Sequence, residues 1–365
     1  MHPLAAFYRG KRVLVTGHTG FQGGWLTAWL KLLGAKVSGY ALPPATRPNF
    51  FDATLLDRGM TSIFGDIRDR NMLANTFAEL QPEIVIHNSA QTLGPKSYSE
   101  PAETFAINAM GTVHVLEEAR LTKSVGAIVI ATSDLCYENR DWFWGHREGD
   151  PLGGHDPYTA SKACAELAAS AYLRTFFQET KTAVATARSG NVIGGGDWTH
   201  DRLIPDIVRA IISEKQITIR NGSVVHAWQH VLEPVGAYLL LAQRLYESGQ
   251  AYSGPWNFGP YDDNLKTVRV LAESFFKHWG TGEIRFSSED ATAPGQEAVR
   301  LYTKKARTQL GWTPVLSFDE TVAWASDWYR AFHADPASAW RTTEDQIDRY
   351  MRSAASQVHS MSSHH

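Results

Sequence analysis

A chain of 365 residues, 43% apolar and 20% charged, suffices for one large folded unit or two that share a core, and its make-up excludes a disordered or fibrous protein. The formal charge of −3 leaves no basic footprint for nucleic acid or for an acidic membrane surface. Only two cysteines occur, Cys136 and Cys164, and neither sits in a CxxC pair; a disulfide framework and a structural metal are not expected, and a reducing cytoplasm is.

The N-terminal "MHPLAAFYRGKRVLVTG" runs directly into a strand, without the cleavage site of a secretory signal. No apolar run reaches the roughly 18 residues that span a bilayer, so no membrane partner is expected. Strand-like runs follow at "RVLVT" (12–16), "KVSGYA" (36–41), "SIF" (62–64), "IVIH" (84–87), "AIVIAT" (127–132) and "VATA" (184–187). Helical patterns lie between them: Phe21 to Leu33 closed by Gly34, Asp69 to Leu80, Pro101 to Arg120, and Tyr158 to Phe177. Apolar strands alternating with such helices predict an α/β fold, a Rossmann-like doubly wound parallel sheet covered on both faces. Right-handed connections gather the C-terminal strand ends on one edge, where ligands bind.

From Ser189 the pattern turns irregular and rich in Gly, Trp and Pro, with helices near Leu203–Ser213, His230–Ser248 and Leu265–Trp279. This part reads as a smaller C-terminal domain that closes over the sheet edge. The expected boundaries are 8–188 for the first domain, 189–350 for the second with some segments returning to the sheet, and 351–365 for a Ser-rich disordered tail. The closing His pair reads as a tag remnant or loose end.

"VTGHTGFQGGWL" follows the first strand and opens the first helix, with Gly17, Gly20 and Gly23 spaced three apart. Gly17 permits the tight turn, Gly20 lets backbone approach a pyrophosphate, and Gly23 lets helix and strand pack closely. The helix N-terminus offers amide N–H groups and a positive dipole end to phosphates. A ribose-binding acid is expected at the end of the second strand, yet "GYALPPATRP" holds none. Arg47 is there either to meet a 2′-phosphate or, preferably, as a solvated loop residue, and these residues leave NAD and NADP both open. Asp66 in "GDIRD" is placed to meet an adenine amino group or to form a plain turn.

"DPYTASK" sets Tyr158 and Lys162 four apart on one helix face. A tyrosine with a reference pKa near 10 is a poor base at neutral pH; a neighbouring ammonium and an oxidised nicotinamide favour its phenolate. Tyr158 is then placed to take the proton of a sugar or alcohol hydroxyl as hydride leaves the same carbon. Together with "GDIRD", "QPEIVIH", "NAMGTVHVLE", "GNVIGGGDW", "DRLIP", "WQHVLEP" and "WNFGP", this motif makes residues 8 to 330 resemble the extended short-chain dehydrogenase/reductases. More narrowly, they resemble the CDP-D-glucose 4,6-dehydratase family.

That resemblance implies a Rossmann domain with retained NAD, a smaller nucleotide-sugar-binding domain, a nucleotide-sugar substrate, most closely a CDP-sugar, and a homodimer or homotetramer. The dimer would form a four-helix seam through the helices holding Asn108 and Tyr158. It implies a cofactor site of Gly17, Thr19, Gly20, Phe21, Gln22, Gly23, Asp66, Ile67, Ala90, Asn108, Tyr158 and Lys162. It implies that Ser133 binds the C4 hydroxyl beside Tyr158, and that Asp134 is the acid for the C6 hydroxyl that departs after C4 oxidation, before hydride returns to C6. The substrate side would hold Gln91, Asn191, Gly196, Arg202, Leu203, Arg220, His226 and Arg300, with Gly194 to Gly196 allowing close backbone approach.

Several positions depart from the family. Leu135 stands where it has Lys, Gln22 replaces Lys, His155 replaces Tyr, and His226–Ala227 replaces Arg-Pro. A leucine neither accepts nor delivers a proton. Three readings follow. Elimination persists with another C5 base, for which Lys96 and His155 are candidates; or C4 oxidation survives without elimination and the enzyme is an epimerase; or the chain is a non-catalytic NAD or sugar-nucleotide binder. The first is preferred because Asp134 has no evident task in an epimerase.

Overall fold

The computed structural model describes residues 3–362 except Asp141, Phe143, Thr281, Glu283 and 288–298. Strands β1 (Arg12–Thr16), β2 (Lys36–Ala41), β3 (Thr61–Phe64), β4 (Ile84–His87), β5 (Ala127–Ala131) and β6 (Ala183–Ser189) all pair in parallel. A seventh strand, Gly254–Phe258, pairs with β6, so the sheet runs Gly254–Phe258, β6, β5, β4, β1, β2, β3. The order reverses beside β1, which places the glycine turn and the ends of β4 and β5 at one crevice.

Side-chain alternation builds two cores. Val13, Val15, Ile84, Ile86, Val129 and Ala185 face one side, with Trp25, Trp29, Leu232 and Val235 over them. Leu14, Val85, Ile128, Ile130 and Val184 face the other, under Leu73, Phe77, Val115 and Ala169. Period-two alternation with both faces apolar is what a sheet sandwiched between helices requires.

The C-terminal half adds helices Leu203–Ile212, Leu232–Ser248, Val268–Trp279 and Phe318–Ala334. It also holds three short strand pairs. Its Trp256, Leu271, Phe275 and Trp328 belong to the same core cluster as Val13 and Trp25, so the two halves share one interior. The seventh strand lies in "SGPWNFGP", read above as irregular. Its position at the sheet edge tolerates Pro255, which lacks an N–H for the ladder.

The expected disordered tail is corrected for residues 351–362: a helix runs from Ala339 to Ser362 and packs on helix Phe21–Leu32, while the closing His pair lies outside the described residues. Buried Ile347 and Tyr350 anchor it, with the Tyr350 ring 5.4 Å from Trp29. Serine enrichment concealed a helix whose stability is tertiary. Among the described residues, no helix is long and apolar enough to cross a membrane.

Candidate active site

The glycine turn has the backbone its residues suggest. Gly17 has φ of +79°, and a Cβ there would lie 2.9 Å from the Asn88 and Ser89 backbone. A Cβ on Gly23 would meet the Gly17 carbonyl oxygen at 2.0 Å, so helix Phe21–Leu32 and β1 approach as closely as only glycine permits. Gly20 caps that helix without any side-chain hydrogen bond, leaving its first N–H groups for an anion. These features fit a dinucleotide pyrophosphate. Around them, Thr19 Oγ1 donates to the Leu42 carbonyl at 2.8 Å and Gln22 Nε2 to Tyr238 at 3.4 Å. Arg47 is exposed.

Other expected cofactor residues brace the chain. The Asp66 carboxylate accepts from the Arg68 N–H at 2.9 Å and from its guanidinium at 2.6 Å, and this pairing holds its pKa down. Ile67 is buried against Gly111, and its carbonyl faces His114 Nδ1 at 3.0 Å. Ala90 is half-buried just beyond β4. Asn108 lies in a π turn, Ala106–Met110, inside the helical stretch from Pro101 to Leu121. Its side chain accepts from Gln91 N at 2.8 Å and donates to Gln91 O at 2.9 Å and Ser161 Oγ at 2.8 Å. Asn108 thus ties the β4 loop to the helix that carries Tyr158.

That helix, Pro157–Tyr172, starts with a capping box: Asp156 accepts from Tyr158 N and Thr159 N, and Thr159 returns the bond. Lys162, buried, donates to the Ala131 carbonyl at 3.2 Å, and burial lowers its pKa to about 8. Burial also pushes Tyr158 up to about 12; the Ser133 hydrogen bond and the Arg202 charge act in the opposite direction. In the free protein, then, the groups that favour the phenolate are Ser133 and Arg202. The four-residue spacing aligns the two side chains, but a buried ammonium takes the nearest carbonyl.

Beyond β5, Ser133 donates to Asp134 Oδ1 at 3.1 Å and accepts from Leu135 N at 3.1 Å. Asp134 is buried, and desolvation raises its pKa to about 7 against the opposing pull of Ser133. A Cβ on Gly190 would stand 2.6 Å from Asp134 Oδ2, so this glycine makes room for the carboxyl. The cavity there is lined by Asp134, Gly190, Ala227, Tyr261, Asp262 and Arg300, among others. Leu135 is 39% exposed.

The expected substrate residues divide. Arg300 lines the Asp134 cavity. Arg202 donates to Thr92 Oγ1 at 2.8 Å, pairs with Asp197 at 3.5 Å and caps the helix that Leu203 begins. Asn191 and Arg220 are exposed, and half-buried His226 lies edge-on to Trp228. Gln91 turns inward: its amide donates to the Leu93 carbonyl and Thr104 Oγ1, both at 3.1 Å.

The glycines Gly194 to Gly196 pack against the core. Added Cβ atoms would meet Val231 at 2.8 Å, Trp328 at 2.0 Å and Phe50 at 2.5 Å, so the approach these glycines permit is that of core side chains. Of the base candidates, Lys96 pairs with Glu100 at 3.4 Å on the surface, and His155 Nε2 lies 3.5 Å from the Asn139 carbonyl.

Sequence reasoning missed the network beneath the site. Glu166, one turn past Lys162, accepts from Thr132 at 2.5 Å, Thr186 at 2.7 Å and Arg188 at 2.7 Å. Arg188 also reaches Tyr137, whose hydroxyl donates to Asn257. The four-residue step from Lys162 to Glu166 was the available signal, since it sets the acid on the buried face.

The NAD dependent epimerase/dehydratase family model matches residues 13–253. The chain is 46% identical over 331 residues to a CDP-glucose 4,6-dehydratase of Salmonella typhimurium, covering 89% of this chain and 92% of that one. It is 28% identical to a dTDP-glucose 4,6-dehydratase of Streptomyces antibioticus, over 75% and 77% of the two chains. Among solved structures, DesIV, a dTDP-glucose 4,6-dehydratase from Streptomyces venezuelae with NAD bound, superposes with a TM-score of 0.73 at 25% identity, covering 87% of this chain and 98% of that one. Epimerase Mth375 of Methanothermobacter thermautotrophicus superposes at 0.78 with 22% identity, over 94% and 97%, and shares the fold. The chain belongs to the NAD dependent epimerase/dehydratase family.

Proposed function

We propose that this chain is a CDP-glucose 4,6-dehydratase-type lyase. It oxidises a nucleotide-activated hexose at C4, expels water across C5 and C6, and leaves a 4-keto-6-deoxy sugar. The observation that carries the reading is Asp134, a buried carboxyl bonded to the serine that also touches Tyr158. Its raised pKa suits a group that must hold a proton near neutrality.

NAD held there would supply a hydride acceptor for C4 and a hydride donor for C6. Gly17, Gly20 and Gly23 shape the turn for its pyrophosphate, and the uncapped N-terminus of helix Phe21–Leu32 faces its negative charge. Ser133 and Tyr158 hold the C4 hydroxyl, and Tyr158 removes its proton. The resulting ketone acidifies C5, and Asp134 delivers a proton to the leaving C6 hydroxyl. Leu135 carries no proton, so the C5 proton goes to a group at another position. Arg300, on the cavity wall, is the donor fork offered to a diphosphate oxygen.

The test is incubation with CDP-glucose and detection of the 4-keto-6-deoxy product by its absorbance in alkali. Tyr158→Phe lowers kcat by about 10²–10⁴. A second reading rests on Leu135: with residue 135 unable to carry a proton, C4 oxidation without elimination would make the enzyme an epimerase. A product inverted at one carbon, with its C6 hydroxyl retained, selects that alternative. Leu135→Lys raises dehydration if residue 135 limits the wild type.

The cytidine base follows from the Salmonella relative, and mass spectrometry of nucleotides released from denatured protein checks base and cofactor together. A homodimer is the expected assembly, supported by exposed Met110, Leu121, Leu167 and Phe176 on and just beyond the helices that hold Asn108 and Tyr158. Light scattering on wild type and Leu167→Asp tests it, with the variant expected as monomer. Two cysteines without a disulfide support a reducing cytoplasm as the compartment.

A further inference from the structure

Asp134 and Arg300 line one cavity from segments far apart in the chain, and a buried side chain spans the gap between those segments. Tyr137 follows the short turn Asp134–Cys136 and is 3% exposed. Its hydroxyl lies 2.6 Å from Arg188 Nη1 and 2.7 Å from Asn257 Oδ1. A guanidinium only donates, so the phenol accepts from Arg188 and gives its single proton to Asn257. That bond fixes the orientation of the Asn257 amide, whose Nδ2 donates to the His146 carbonyl at 2.9 Å. The same carbonyl accepts from Tyr302 N at 2.8 Å, and the His146 N–H donates to the Arg300 carbonyl at 2.8 Å. A Cβ on Gly145 would stand 2.9 Å from the Leu301 and Tyr302 backbone, so the two segments lie in direct contact. An unbroken path of hydrogen bonds therefore runs from the residue that ends the Asp134 turn to the backbone that carries Arg300.

We propose that Tyr137 is a positioning residue that registers Asp134 against Arg300, acting through Asn257 and the backbone of His146. The inference rests on the dehydratase reading of this site, in which Arg300 holds a diphosphate oxygen and Asp134 delivers a proton at C6. A nucleotide-hexose reaches from one of these groups to the other, so its C6 hydroxyl meets the acid only while their separation is held. Arg188, Tyr137 and Asn257 are all buried, and bonds made out of reach of water hold such a separation firmly.

Tyr137→Phe removes only the hydroxyl and keeps the ring, which stacks 4.7 Å from His146 and lies 4.7 Å from the Arg188 guanidinium. Misplacing a reacting group by about 1 Å costs roughly 10²-fold in rate, so kcat for dehydration of CDP-glucose is expected to fall at least about tenfold. CDP occupies the nucleotide end alone, and its inhibition constants for wild type and variant are expected to agree within about threefold. Asn257→Leu breaks the same span one bond further on. It is expected to lower kcat as far, and the double variant no further than either single one. A hydroxyl that served stability alone would lower the melting temperature of Tyr137→Phe and leave kcat unchanged wherever the variant is folded.

Carbon-13 NMR of the Asp134 carboxyl in the free protein is a readout that needs neither substrate nor cofactor. Burial holds that carboxyl at about 7, and once the turn is released its pKa is expected to fall toward 3.8 in Tyr137→Phe. The ionisable groups around it, Tyr158, Cys136 and, across the cavity, Tyr261, Asp262 and Arg300, are unchanged in these variants. A fall in kcat smaller than about tenfold, a CDP constant that moves with it, additive losses in the double variant, or an unmoved Asp134 titration overturns the assignment. A wild type that forms no 4-keto-6-deoxy product overturns the dehydratase reading instead, and the Asp134 titration still decides whether Tyr137 holds the acid in place.

Discussion

Asp134 lies inside the fold, and that burial sets its behaviour with pH. Its carboxyl titrates at about 7 in the folded protein, well above its ordinary value of 3.8. Between those values the folded chain keeps a proton that the unfolded chain releases, so stability falls as pH rises through this window. The contribution is fully present below 3.8 and lost above about 7. Asp134→Asn, neutral throughout, is expected to reduce this slope, leaving the share of any other buried acid, and to melt higher than wild type at pH 8 in calorimetric scans at several pH values. Gly190 belongs to the same scale: a side chain there collides with the Asp134 carboxyl at 2.6 Å. Gly190→Ala should therefore lower activity with little loss of fold.

The helix Pro157–Tyr172 is the element on which the chemistry depends. Its first turn is fixed by the Asp156–Thr159 box, its middle by Asn108 through Ser161, and its inner face by Glu166. Glu166 and Arg188 are both about 3% exposed and meet at 2.7 Å. Removing one partner of such a pair strands the other charge, at a cost of about 3–5 kcal/mol. Arg188→Met is expected to show that loss by urea denaturation. Glu166 also bonds Thr132, the residue before Ser133, so the same change should slow turnover. At the glycine turn, Gly23→Ala places a methyl 2.0 Å from a carbonyl oxygen. Helix and strand must then separate, and NAD retention after purification is expected to fall.

Across the whole molecule, the C-terminal helix Ala339–Ser362 closes the fold onto its first βα unit. Tyr350 donates to buried Glu233 at 2.7 Å, and the same carboxyl accepts from Val315 N at 2.8 Å and Leu316 N at 2.7 Å. Burial lifts Glu233 to about 7. One acid thus joins the helix Leu232–Ser248, the 315–316 loop and the last helix. Tyr350→Phe is expected to cost about 1–3 kcal/mol, read from the same denaturation curves. Trp328 has a comparable reach, stacking near Phe50 and filling the space that Gly195 leaves open.

Much of this was legible in order along the chain. Six parallel strands, the glycine turn and the helix face shared by Tyr158 and Lys162 follow from local periodicity and spacing, because strands, turns and helix faces are set within a few residues, whereas Ser133 and Asp134 entered through the family resemblance. The sequence alone determined that a phenol, a hydroxyl and a carboxyl would gather at the end of one sheet. Only the tertiary structure decided what each of them meets. It turned Lys162 to a carbonyl, packed core side chains against Gly194 to Gly196, and set Tyr350 of the last helix against Trp29. Those outcomes depend on which distant groups share a desolvated volume, and burial, unlike spacing, is a property of the assembled chain.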